Sequence, residues 1–130
     1  MKTIFSLGAL WCVAITPVSA AALERTPVPD ARPLMLSALT SAAGEAHGVL
    51  TGTLAEALTQ KFKATTPIFI DVTTVRRYQQ PGCSRLLLTF WQEGVLLPQA
   101  QTPQRQSLEM GINFCRDGLP PRSLVERQQP

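Results

Sequence analysis

The amino-acid sequence predicts an α+β fold: one or two N-terminal helices packed on a three-stranded antiparallel β-meander, with one disulfide. The hydrophobic period changes from near four residues to two at Ile68, where helical patterning gives way to strand patterning. Cys83 and Cys115 stand at the opening of one predicted strand and the close of the next, where antiparallel neighbours meet. The 130-residue length, with 45% hydrophobic and 16% charged residues, suits a single small domain rather than a disordered chain or a multi-domain enzyme. A formal net charge of +3 is too weak to imply nucleic-acid binding.

Residues 1–20 read as a cleaved secretory signal. Lys2 supplies the positive start, Ile4 to Thr16 are apolar and uncharged, and Pro17 precedes the small residues Val18-Ser19-Ala20. The apolar run is short for a bilayer span, which needs about 20 residues. Cys12 follows Ala9-Leu10-Trp11, and the bulky Trp11 beside it fits lipoprotein processing poorly. Cleavage leaves 110 residues with a formal charge of +2 and two cysteines, Cys83 and Cys115. In an oxidising compartment that pair is most simply a disulfide. A metal or thiol site is the rival reading, weakened by the lack of CxxC spacing and by a single histidine, His47.

Residues 21–33 carry three prolines and read as an extended N-terminal arm, and residues 34–121 as the domain. Leu34 to Ala43 predicts a short helix, with Pro33 at its start and Gly44 just past its end. Thr53-Leu54-Ala55-Glu56 reads as a capping box, and Leu54, Leu58 and Phe62 form the apolar face of a second helix expected to lie on a sheet. Pro67 ends it.

The first strand runs from Ile68 toward Tyr78, presenting Ile68, Ile70 and Val72 on one face. Gln79 to Gly82 is a turn. The second strand, Ser84 to Gln92, sets Leu86, Leu88 and Phe90 against Arg85, Leu87, Thr89 and Trp91, before a turn at Glu93-Gly94. Pro98 to Pro103 is a polar loop. The third strand, Gln106 to Cys115, turns Leu108, Met110, Ile112 and Phe114 inward, with Gly111 marking a close approach. Residues 122–130 read as a flexible tail.

The sequence contains no nucleophile elbow, HExxH or phosphate loop, and its acids are dispersed, so no enzyme, metal site or cofactor is expected. His47 reads as a solvated loop residue. Arg76, Arg77 and Arg85, with Tyr78 and Trp91, form the most concentrated basic and aromatic group and the candidate partner-binding surface. The alternative role for these arginines is protection of a strand edge. Leu87 and Trp91 lie on a sheet face that meets the N-terminal helix, a partner or water.

Two segments, Thr73-Thr74-Val75-Arg76-Arg77-Tyr78 through Gly82-Cys83-Ser84-Arg85-Leu86 and Asn113-Phe114-Cys115-Arg116-Asp117-Gly118-Leu119-Pro120-Pro121, span about half of the mature chain. They resemble small signal-bearing proteins encoded with plasmid conjugation and type IV secretion genes of Gram-negative bacteria. The resemblance implies a periplasmic accessory role in conjugative transfer and carries over no catalytic residues. The expected function is therefore an exported, non-enzymatic component that binds envelope proteins of a secretion or transfer machinery, with no nucleic-acid partner and no membrane span after signal cleavage. The alternative is a secreted inhibitor or immunity-type protein blocking a target enzyme through the Pro98–Pro103 loop. A third reading is a carboxylate- or sugar-binding module built on Arg76, Arg77 and Arg85.

Overall fold

A computed structural model describes residues 23–128; the expected signal segment lies outside that range. The elements run β1 (Thr26–Val28), α1 (Arg32–Thr40), β2 (Glu45–Leu50), α2 (Thr53–Lys61), β3 (Phe69–Arg77), β4 (Cys83–Val95) and β5 (Gln104–Cys115). They form one five-stranded mixed sheet in sequential order, β1 parallel to β2 and every other pair antiparallel.

The fold is α+β with one disulfide, but the sheet is larger than the expected meander and the helices are interleaved with its strands. Two short segments account for the difference. Thr26–Val28 lies in the proline-rich arm, and its pairing with Gly48–Leu50 depends on a neighbour more than twenty positions away, a contact invisible to local periodicity. Glu45–Leu50 holds two glycines at or beside it and few β-branched residues, yet it pairs with β3 from Val49↔Phe69 to Glu45↔Thr73. His47 therefore sits on a strand, not in a loop.

One face of the sheet is covered by α1. Leu34, Met35, Ala38 and Leu39 form the buried stripe of that helix, packed on Ala46, Ile70, Val72, Leu86 and Leu88. Ile70, Val72 and Leu86 have no exposed surface, as the two-residue alternation of β3 and β4 requires. Pro33 occupies the first turn of α1, as expected, and the helix stops at Thr40, short of Ala43. Gly48 lets α1 approach: a Cβ there would lie 2.7 Å from Leu34 Cδ1 and from the Thr26 carbonyl oxygen.

The second helix departs from its expected role. The residue before it is Gly52, with φ +112°, so Thr53 is the first helical residue and makes no capping bond through its side chain. Leu54 is 70% exposed. Leu58 and Phe62 instead border an open apolar groove of about 360 Å³ with Phe90, Val95 and Leu108. The helix is tied to the end of β4 by polar bonds: Gln92 Nε2 donates to Thr59 Oγ1 (2.8 Å) and to the Thr66 carbonyl (2.9 Å).

The strand β4 continues through Glu93-Gly94, where a turn was expected. Gly94, at φ +65°, forms an irregularity between Gln92 and Val95, and pairing resumes at Val95↔Gln104. On β5, Ile112 and Phe114 pack on the core, whereas Leu108 and Met110 are exposed, because α1 covers only the C-terminal half of that strand. Cys83 and Cys115 are paired directly across β4 and β5 and form the disulfide. The segment after β5 returns to the open edge of β3: Gln79 N–H donates to the Val125 carbonyl and Arg127 N–H to the Arg77 carbonyl, both at 2.8 Å. Residues 122–127 of the expected flexible tail are thus partly fixed by backbone pairing. No helix among the described residues is long and apolar enough to cross a membrane.

Candidate functional site

The sheet face opposite α1 carries the site. It presents His47 and Val49 from β2, Phe69, Asp71 and Thr73 from β3, Leu87, Thr89 and Trp91 from β4, and Ser107 and Glu109 from β5. Leu34, Met35, Ala38 and Leu39 of α1, and Leu58 of α2 with Phe62 just after it, lie on the other face.

Asp71 organises this surface. Its Oδ1 accepts hydrogen bonds from His47 Nδ1 (2.7 Å) and Arg25 Nη1 (2.9 Å), and its Oδ2 accepts one from Trp91 Nε1 (2.6 Å). Partial burial alone would raise the Asp71 pKa. The bonds from His47, Trp91 and Arg25, with the Arg25 charge, outweigh burial and hold the carboxyl below its ordinary value. The short contact to a carboxylate assigns the proton of His47 to Nδ1. Its Nε2 faces Glu45 Oε2 at 3.6 Å.

Cations and aromatic rings interleave around this carboxylate. Phe69 and Trp91 are opposite one another on β3 and β4, with ring centroids 4.4 Å apart. Arg25 reaches from beside β1 across β2, donates to the Gly48 carbonyl as well, and places its guanidinium 4.6 Å from the Phe69 ring and 5.2 Å from the Trp91 ring. Arg105 lies over Trp91 at 3.8 Å and pairs with Glu93 at 3.3 Å. Trp91 is thereby held in one orientation by an anchored indole N–H and by stacked neighbours, with part of its surface open to solvent.

The residues singled out from the sequence divide between the two ends of the sheet. Tyr78 is buried against the disulfide, and its hydroxyl donates to Asn113 Oδ1 at 2.7 Å. Arg85 Nη1 donates to the same oxygen at 3.1 Å, and the guanidinium lies where a Gly111 side chain would be. Gly111 thus marks a close approach, as expected, by this chain itself. Arg76 is exposed and pairs with Glu126 at 3.3 Å; Arg77 is exposed at the end of β3. Trp91 is six residues along β4 from Arg85, about 20 Å away, and belongs to the Asp71 group.

Arg25, Phe69, Asp71 and Arg105 are not among the expected site residues, and His47, expected as a solvated loop residue, stands on β2 bonded to Asp71. The available signal was the second face of the β3 alternation, Phe69-Asp71-Thr73, which places an acid in register with Thr89 and beside the Phe69–Trp91 pair. No protein-family model matches the chain, and no curated protein or solved structure does.

Proposed function

We infer that the protein is an exported, non-enzymatic binding component whose open sheet face docks a protein of a bacterial conjugation or type IV secretion apparatus. The observation that supports this most is the immobilised Trp91, flanked by Arg25 and Arg105 and anchored by Asp71. Tryptophan and arginine are the residues that dominate protein–protein hot spots, because they offer large contact area and planar hydrogen bonding. Fixing them before binding lowers the ordering cost of association. The Asp71–His47 pair supports the same reading: both His47 ring nitrogens face carboxylates, so the imidazole serves to position the acid and its neighbours. A disulfide is compatible with export to an oxidising compartment, and the resemblance of the two cysteine-containing segments supplies the apparatus.

Affinity capture of the tagged chain after mild cross-linking, followed by mass spectrometry, tests the reading. Wild type should recover envelope subunits of the machinery, and Trp91→Ala should lose them while remaining folded. An Arg76→Glu/Arg77→Glu variant should retain them if the open face alone docks the partner. Recovery of one soluble enzyme would instead favour an inhibitor, and undiminished capture by Trp91→Ala would overturn the assignment to this face.

A further inference from the structure

We propose that two copies of this chain pair through their β5 edges, antiparallel and in a single register centred on Ser107, joining two five-stranded sheets into one. The strand Gln104–Cys115 ends the sheet, and no described strand pairs with its outer side. The direction of its backbone groups is fixed. Cys83 and Cys115 have Cα atoms 4.1 Å apart, the close spacing of a pair that exchanges no backbone bonds. Arg116 N–H donates to the Gly82 carbonyl at 3.0 Å, so the even-numbered positions bond to β4. The N–H and C=O groups of Arg105, Ser107, Glu109, Gly111 and Asn113 therefore point away from the sheet. An unpaired row of this length is a template for another strand.

The side chains identify that strand as a second β5. In a two-fold antiparallel pair, centring on Ser107 sets Arg105 opposite Glu109 of the other copy, and Glu109 opposite its Arg105. No other two-fold register of this strand makes both contacts; centring on Glu109 would oppose two like charges. In the Ser107 register these positions are also the ones whose backbone groups face outward, so hydrogen bonding and charge agree on one alignment. On the opposite face, Leu108 and Met110, 59% and 40% exposed, come beside the partner copy's apolar groove border. The side chains of Arg105, Ser107 and Glu109 stand on the Trp91 face, Arg105 over Trp91 itself, so the paired edge adjoins the proposed docking surface and the test reads oligomeric state alone.

The test uses the oxidised chain, with light scattering on a sizing column across a dilution series. Wild type should run at twice the monomer mass at high concentration. Arg105→Glu and Glu109→Arg should each shift the population to monomer, and the double reversal should restore the dimer. Ser107→Cys should cross-link spontaneously, because an opposed hydrogen-bonded pair has Cα atoms about 5.5 Å apart, within disulfide range. Glu109→Cys should not, since two such residues would lie about 14 Å apart along the strands. A wild-type monomer at every concentration would overturn the proposal. So would a dimer insensitive to both single reversals, or cross-linking by Glu109→Cys.

Discussion

Asp71 is the residue on which the open face depends, since three donors, from β2, from β4 and from the residue just before β1, converge on its carboxylate. Removing the acceptor leaves those donors partly shielded from water and without a partner. Asp71→Ala should therefore cost about 1–3 kcal/mol, read by denaturant unfolding, and should release Trp91, read as a shift in its fluorescence. The lowered pKa gives a pH signature. A carboxyl whose folded pKa lies below its unfolded value stabilises the fold above the unfolded pKa of about 3.9, and the contribution disappears as pH falls through the folded value. Between pH 6 and 3 the wild type should lose more melting temperature than Asp71→Asn. Equal losses would mean that the three bonds do not hold the charged form. These contacts were illegible in sequence because Arg25, His47, Asp71 and Trp91 come from four separate segments, and only strand register brings them together.

At the scale of elements, the strands β3 and β4 were the most legible. Their alternation assigns Ile70, Val72, Leu86 and Leu88 to the core, and all four are buried. The two helices carry an instructive reversal. The regular i, i+4 spacing of Leu54, Leu58 and Phe62 looked like the sheet-packing face, yet Leu34, Met35, Ala38 and Leu39 on α1 fill that role. What decides between them is the opposing surface: α1 meets Gly48, and the missing side chain there brings the helix close. Gly48→Ala should push α1 outward at a cost of about 1–3 kcal/mol, measured as a lowered midpoint in urea. A neutral effect would show that helix and strand adjust freely. The disulfide joins β4 to β5 with a sequence separation of 32. Replacing both cysteines by serine should destabilise the chain by about 2–4 kcal/mol, visible as a drop in melting temperature that reductant reproduces in the wild type.

For the whole molecule, the α+β class, the single disulfide and the antiparallel order of the last three strands follow from periodicity and cysteine placement. The parallel β1–β2 pair and the return of the C-terminal segment to β3 do not, because both are short, non-local pairings with weak strand composition. The first helix packs on one side of the five-stranded sheet, α2 borders an open groove beside it, and the other side is left to a Trp–Arg surface. The two sides differ in character: one holds the core that stabilises the chain, and the other is the face proposed to recognise a partner. That proposal is tested most directly by placing a photo-cross-linking residue at Thr89, on the open face, and separately at Ser37, on the exposed side of α1, in cells carrying the transfer machinery. Thr89 should cross-link to an envelope component of that machinery, Ser37 should not, and Trp91→Ala should abolish the Thr89 product. Equal products from both positions, or a Thr89 product unaffected by Trp91→Ala, would contradict the account.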